Sequence, residues 1–198
     1  MTLNEIYQEL SAQYGDPAGG EQVHAFSDKG NPHSYIDYYE SQFEPLRERA
    51  RILEIGVKTG GSLLLWSRYF ESYRIVGVDI APTWSAIRPF QSELNHNPGI
   101  KLIWNQDSTL PFGVEGVFDF VIDDGAHDLE TQWRTFQNCW PLVAPGGTYY
   151  IEDVESNHNS HELTRRLKRH LTNTADVQRW LGHVHRRADD QIIQIRRL

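Results

Sequence analysis

The sequence predicts an α/β fold: a doubly wound, seven-stranded sheet, mostly parallel, ending in an antiparallel hairpin and preceded by a helical cap. Three observations carry this expectation. Short apolar runs alternate with helical patterns of about 10–15 residues after residue 50, the signature of βαβ units whose strands are covered on both faces. Two further strand-like runs close the chain with only four residues between them, too few for a parallel crossover. Residues 1–50 lack the alternation and read as helices around a polar, Gly/Pro-punctuated loop.

Each element follows in order. Leu3, Ile6, Tyr7 and Leu10 fall at helical spacing, and Pro17-Ala18-Gly19-Gly20 breaks that helix. The loop Ser27-Asp28-Lys29-Gly30-Asn31-Pro32-His33-Ser34-Tyr35 comes next, and a helix over about 35–49 leads into the first strand, Arg51–Ile55. Gly60-Gly61-Ser62 opens a helix through Leu63, Leu64, Trp66, Tyr69 and Phe70. Strands follow at Arg74–Asp79, Ile100–Trp104, Val117–Asp123 and Thr148–Ile151. Helices are expected from Pro82 to about Asn97 and from Asp128 to Trp140, the latter stopped by Pro141 and a turn at Ala144-Pro145-Gly146-Gly147. Val177–Arg186 and Gln191–Arg196 form the hairpin. The arrangement is Rossmann-like, one domain over 1–198 with a cap or lid at 1–50 and a cofactor-binding core at 51–198.

Composition bounds the function. The 198 residues are 39% hydrophobic and 23% charged, as in a globular domain with a sizeable core. The formal charge of −8 divides into about −13 over 1–160 and +5 over 161–198. An acidic body argues against nucleic acid as a partner. The basic run Arg165-Arg166-Leu167-Lys168-Arg169 reads as the solvated face of a helix. No apolar run is long enough for a bilayer, no leader pattern opens the chain, and the single cysteine, Cys139, reads as a buried helix residue in a reducing compartment. The expected location is the cytoplasm, without a membrane partner.

In an open parallel sheet, ligands bind beyond the carboxyl ends of the strands. All five such ends here carry an acid: Glu54, Asp79, Asp107, Asp123-Asp124 and Glu152-Asp153. The first end is the most specific. Gly56 and Gly60 let the backbone turn tightly and leave room for a ligand. The pattern E-x-G-x-x-x-G-G departs from the G-x-G-x-x-G that cradles a pyrophosphate, and an acid inside the loop suits a cofactor bearing a cationic group. Asp79, 23 residues after Gly56, stands where an acid accepts from ribose hydroxyls.

The loop, Asp79 and Asp107 resemble the class I S-adenosylmethionine-dependent methyltransferases. That resemblance implies Glu54 and Gly56 near the methionine part, Asp79 at the ribose, and Asp107-Ser108 beside the adenine, with Gly60 and Ser62 also at the cofactor. Lys58 stands where many members have a glycine. A narrower resemblance rests on Ser27-Asp28-Lys29-Gly30, His33-Ser34-Tyr35, Leu53–Val57 with Gly60-Gly61-Ser62, Asp123-Asp124-Gly125-Ala126-His127 and Ile151-Glu152-Asp153. These look like the metal-dependent sugar O-methyltransferases of macrolide biosynthesis, whose relatives are also labelled cephalosporin hydroxylases. The resemblance implies S-adenosylmethionine and Mg²⁺ as cofactors and a polyhydroxyl or glycosylated small molecule as acceptor, with self-association left open. It also implies Asp124 and Asp153 as metal ligands and His127 as general base. Glu152 and Asp123 are further candidates, each as a ligand or a supporting group, and Asp123 is also expected on the cofactor side. Lys29 and Tyr35 are expected at the cofactor from a loop that folds over it.

The chemistry stands apart from the family. A sugar hydroxyl is a poor nucleophile at neutral pH, a hard cation on carboxylates acidifies it, and a nearby histidine takes its proton. Carboxylates with one histidine favour Mg²⁺ over Zn²⁺. The competing structural role for Asp124 and His127 is capping of the helix that starts near Asp128. Competing functions are a hydroxylase-like reaction at the same metal site and a non-catalytic S-adenosylmethionine-binding module. His158 and His161 have the spacing of a helical metal pair but lack a third ligand, and His183 and His185 alternate on the expected hairpin.

Overall fold

The computed structural model of the chain describes residues 1–15, 26–81, 90–182 and 188–198. Its centre is one seven-stranded sheet. The strands are β1 (Ala50–Ile55), β2 (Tyr73–Val78), β3 (Ile100–Ile103), β4 (Phe118–Asp123), β5 (Val143–Glu152), β6 (Ala175–Leu181) and β7 (Gln191–Arg197). They lie in the order β3-β2-β1-β4-β5-β7-β6. β1 to β5 are parallel, with Leu53 opposite Val76 on one side and Val121 on the other. β7 runs antiparallel between β5 and β6, pairing Ile193 with Ile151. The chain reverses its direction of travel across the sheet between β1 and β4, so the carboxyl ends of these two central strands flank the crevice where doubly wound sheets bind ligands.

Among the described residues, six helices cover the sheet: α1 (Leu3–Tyr14), α2 (Tyr35–Phe43), α3 (Gly61–Tyr69), α4 (Gln91–His96), α5 (Leu129–Cys139) and α6 (Asn157–His170). Buried strand residues alternate between two cores, as a pleat requires. Ile52, Ile75, Phe120, Ile122, Tyr150 and Ile192 face α1 to α4. Leu53, Val76, Val121, Tyr149, Ile151 and Ile193 face α5 and α6. The cap is part of the first core: Phe43 lies 4.5 Å from Phe120 between ring centres, and Tyr39 lies 5.4 Å from Trp66. Cys139 is buried in the second.

The elements differ from the sequence expectation in three places. The Ala144–Gly147 segment is no turn before the strand. β5 runs through it, and pairing slips from Phe118 opposite Val143 to Phe120 opposite Thr148. A Pro-Gly-Gly signal suits a bulge as well as a turn, and here the strand resumes its direction with Gly146 at φ +76°. The helix after the N-terminal loop stops at Phe43, and Pro45 starts one 3₁₀ turn, Glu44–Leu46. The first hairpin strand is β6, shifted to Ala175–Leu181, while His183 and His185 lie outside the described residues. Most of the helix expected from Pro82 also lies outside them. The arginines and lysine of the Arg165–Arg169 run lie on the outer side of α6, where Arg166 pairs with Glu130 and Glu162, while Leu167 turns into the second core. His161 of that helix lies against Arg179. No helix among the described residues is long and apolar enough to cross a membrane.

Candidate active site at the strand ends

The loop after β1 has the tight shape that its glycines predict. Gly56 and Gly60 both sit at φ +85°. A Cβ at Gly56 would lie 2.0 Å from the carbonyl oxygen of Asp124, so the loop after β1 and the loop after β4 touch through backbone. Lys58 also has a left-handed backbone, φ +51°, the conformation a glycine adopts at no steric cost. The departure at this position therefore preserves the loop's path. Lys58 N–H donates to Asp79 Oδ2 at 2.8 Å, and Ala81 N–H donates to Oδ1 at 3.1 Å. Asp79 is thus oriented at the end of β2 by two backbone amides.

Glu54 and Ser62 are turned inward. The buried Glu54 carboxylate accepts from the Ser62 hydroxyl and, at 2.6 Å, from Trp66 Nε1. Burial pushes the Glu54 carboxyl above its usual range, with Lys29 and Ser62 opposing. These two residues brace the start of α3 rather than line an open surface. At the end of β3, Asp107 accepts from Thr109, and the Ser108 hydroxyl meets that of Thr135 at 2.9 Å. Asp107 also borders a cleft of about 400 Å³ with Ile80, Thr109, Glu130, Thr131 and Arg134. A larger, open depression of about 520 Å³ lies at the other edge of the sheet, around Tyr73, Asn97 and Gly99 at the amino ends of β2 and β3. Ligand sites of doubly wound sheets lie at the opposite edge.

The ends of β4 and β5 bring the remaining acids together. Asp124, His127 and Asp153 each offer one ligand atom, and those atoms lie within 4.8 Å of one another. His127 Nε2 is 3.5 Å from Asp124 Oδ1 and 3.9 Å from Asp153 Oδ2. The competing capping role is taken by another residue. Asp128 caps α5 itself, accepting from Thr131 N–H at 3.0 Å, which leaves Asp124 and His127 free of that duty. Asp153 holds φ +52°, a conformation costly for a residue with a Cβ and concentrated at functional sites. Exposure separates the three: the Asp124 and Asp153 side chains are 14% and 7% exposed, His127 43%. His127 is the member that faces solvent. Its hydrogen bond to Asp124 holds its pKa above the ordinary imidazole value, burial pulls the other way, and the charge of Asp153 adds to the rise.

The 26–35 segment closes over these acids from the cap side. Tyr7 of α1 donates to Ser27 O at 3.2 Å, anchoring it from behind. Lys29 is buried, with Nζ 2.9 Å from Asp124 Oδ2 and 2.7 Å from Glu152 Oε2. Burial works against its ammonium, but Asp124, Glu152 and Glu54 outweigh that and keep it charged. Burial likewise works against the Asp124 carboxylate, yet Lys29 and His127 bring its pKa down to about 2. Tyr35 OH donates to Asp153 Oδ1, and His33 Nε2 lies 3.1 Å from Asp153 Oδ2. Asp123 is buried under the floor with Tyr149 OH at 3.0 Å, and burial raises its pKa to about 7.

The expected residues therefore fall into two groups. Asp124, His127 and Asp153 converge as one cluster, with Lys29, Tyr35 and Glu152 directly behind it. Gly56, Gly60, Asp79, Asp107 and Ser108 line the other half of the strand-end edge. Lys29 and Tyr35, expected at the cofactor, touch the acids of β4 and β5 instead. Glu152 lies outside the cluster, its two oxygens accepting from Lys29 and Tyr39. Tyr39 and Asp190 were not expected at the site. Tyr39 follows Tyr35 by one helical turn and so shares its face, a signal present in the sequence. Asp190 accepts from Ser34 N–H and OH, at 3.1 and 2.7 Å, across 156 residues, and no local pattern announces that.

The loop shape, the acid ending β2 and the strand order together define a class of protein, the nucleoside-cofactor-binding methyltransferase fold. A family model described as a methyltransferase domain matches residues 53–154, and the chain belongs to that family. Among curated proteins it is 33% identical over 146 residues to the 8-demethyl-8-alpha-L-rhamnosyl tetracenomycin-C 2'-O-methyltransferase of Streptomyces olivaceus, covering 67% of this chain and 36% of that one. It is 34% identical over 158 residues to the mycinamicin VI 2''-O-methyltransferase of Micromonospora griseorubida, covering 74% and 35%. The chain thus spans little over a third of the length of these relatives. Among solved structures it resembles the MycE methyltransferase of mycinamycin biosynthesis in complex with Mg, SAH and mycinamycin VI. The TM-score is 0.65 at 23% identity, over 96% of this chain and 54% of that one, which establishes the shared fold.

Proposed function

We propose that this chain transfers a methyl group from S-adenosylmethionine to a hydroxyl of a glycosylated small molecule, assisted by Mg²⁺ at Asp124 and Asp153, with His127 as general base. The observation that carries the reading is the Asp124–His127–Asp153 cluster at the strand-end edge. Two carboxylates on adjoining strand ends fit a hard divalent cation with open positions for water or substrate oxygens, and the imidazole beside them is placed to take a proton. A non-haem iron triad needs two histidines and one carboxylate, the reverse of this set. The named relatives are O-methyltransferases of a rhamnosyl tetracenomycin and of mycinamicin VI, which supports a glycosylated small-molecule acceptor.

The roles follow from position. Asp79, oriented by the amides of Lys58 and Ala81, keeps lone pairs for ribose hydroxyls, and the cleft beside Asp107 suits the base. Gly56 and Gly60 let a ligand lie against the backbone. S-adenosylmethionine supplies an electrophilic methyl on a sulfonium. Mg²⁺ supplies a Lewis acid that lowers the pKa of a bound hydroxyl. His127, the most exposed of the cluster, takes the hydroxyl proton at Nε2, and Asp124 stabilises the imidazolium that results. With S-adenosylmethionine bound, the freed oxygen would take the methyl and the sulfonium would depart as a neutral thioether. The buried floor of Lys29, Tyr35 and His33 holds the carboxylates in place throughout.

The test is methyl transfer from labelled S-adenosylmethionine to a panel of deoxysugar glycosides. His127→Ala should lower the rate by about 10²–10⁴-fold, and EDTA should abolish it until Mg²⁺ is restored. Wild-type rates in His127→Ala would remove His127 as the base. Full activity in EDTA would remove the metal.

A further inference from the structure

Lys29 is the one lysine or arginine that is buried among the described residues, and it lies beneath the acidic edge where the cluster sits. Its ammonium touches one oxygen of Asp124 and one of Glu152. Tyr39 OH donates to the other oxygen of Glu152. Both Glu152 oxygens are therefore taken: burial pushes this carboxyl well above the usual carboxylate range, Lys29 opposes that, and two donors aimed at its oxygens fit the ionised form. On Asp124 only Oδ1 is left toward His127. A buried ammonium without these partners would be costly, and so would the buried carboxylates without it.

We propose that Lys29 is an internal counter-cation that sets how strongly, and through which carboxylates, the site holds a divalent ion. This rests on the metal-assisted reading above. Lys29 cancels Glu152 and reserves Asp124 Oδ2, so an ion meets Asp124 Oδ1 and Asp153 Oδ2 from the solvent side, beside His127. Glu152 serves Lys29 rather than the ion. The donor set then carries less negative charge than the local count of acids suggests. The ion is held weakly enough to exchange, and most of its shell is left to water and acceptor oxygens. Lys29 is a positioning residue: it acts through the carboxylates and touches no substrate.

The experiment is Mn²⁺ binding, read from the electron paramagnetic resonance of free Mn²⁺, on wild type, Lys29→Met, Glu152→Gln and the double variant, each checked by thermal melting. Lys29→Met should bind Mn²⁺ roughly tenfold or more tightly, because a full positive charge close to the ion is gone. Glu152→Gln should bind it more weakly, because Lys29 is then left uncompensated. The double variant should return toward the wild-type value. A merely structural role predicts weaker binding in all three. Weaker or unchanged binding in Lys29→Met overturns the inference. Should Lys29→Met fail to fold, Lys29→Gln removes the charge and keeps a donor, and it carries the same expectation and the same refutation. If wild type binds Mn²⁺, Asp153→Asn loses it and Lys29→Met leaves affinity unmoved, this inference fails and the metal reading stands. If neither wild type nor any variant binds Mn²⁺, both fail.

Discussion

Gly61 is where the cap and the cofactor loop meet, and Gly61→Ala separates two opposing effects on stability. Gly61 is the first residue of α3, and replacing a helical glycine by alanine gains at most about 1 kcal/mol. Against this, a Cβ at Gly61 would lie 1.8 Å from the carbonyl oxygen of Phe26, where ordinary contact begins at 3.4 Å. The obstacle is backbone, not the end of a flexible side chain, so the 26–35 segment must retreat by about 1.6 Å. Phe26 packs edge-on to Phe90 at 5.5 Å and is 2% exposed, and burial of such a ring is worth about 1.5–3 kcal/mol. Lys29, three residues on, would be drawn from Asp124 and Glu152 as well. The net expectation is a loss of about 1–3 kcal/mol, a fall in Tm of roughly 2–12 °C for a chain of this size. Differential scanning calorimetry measures it. Gly113→Ala, where a Cβ meets nothing within 4 Å, is the control and should stay within about 0.5 kcal/mol of wild type. A Tm for Gly61→Ala at or above wild type would refute the reasoning, since the cap would then yield without cost.

Two further outcomes follow from the electrostatics. The His127 Hε1 resonance, titrated in metal-free protein, should give a midpoint above 6.5, because Asp124 and Asp153 favour the charged ring. Asp124→Asn should lower it, and a wild-type midpoint at or below 6.5 would contradict the geometry. Asp128→Ala should cost about 0.5–2 kcal/mol through loss of the α5 cap. The Thr131 hydrogen bond holds the Asp128 pKa below its usual value in the folded state. Its contribution is therefore complete above the unfolded pKa and lost as pH falls through the folded one. The Tm gap between variant and wild type should narrow below about pH 4, and a gap that widens there would show the cap acting otherwise.

The sequence was most legible where a single physical requirement acts locally. β1, β2 and β4 are buried on both faces, so their runs of Ile, Val, Leu and Phe announce them directly. The acids at the strand ends were legible because an open parallel sheet brings all its carboxyl ends to one edge. Local signals failed where one pattern serves two geometries. Ala144-Pro145-Gly146-Gly147 reads as a turn, yet only pairing with β4 decides that it is a bulge within β5. The pattern E-x-G places Glu54 in the loop but does not say that its side chain rotates inward to Ser62 and Trp66.

The deeper gap concerns what an acidic edge requires in order to exist. Gathering Glu54, Asp123, Asp124, Glu152 and Asp153 at adjoining strand ends concentrates negative charge in a place where four of the five side chains are nearly dry. Two means of tolerance are present. Asp123 is pushed toward the protonated form by burial. Asp124 and Glu152 are paired with a cation that comes from 95 and 123 residues away. No periodicity encodes a contact at that separation. The charge argument alone demands that some cation arrive, and in residues 26–35 only Lys29, beside His33, can supply it. The polar segment expected to act as a lid over the cofactor is the part of the fold whose cation lets this acidic edge persist.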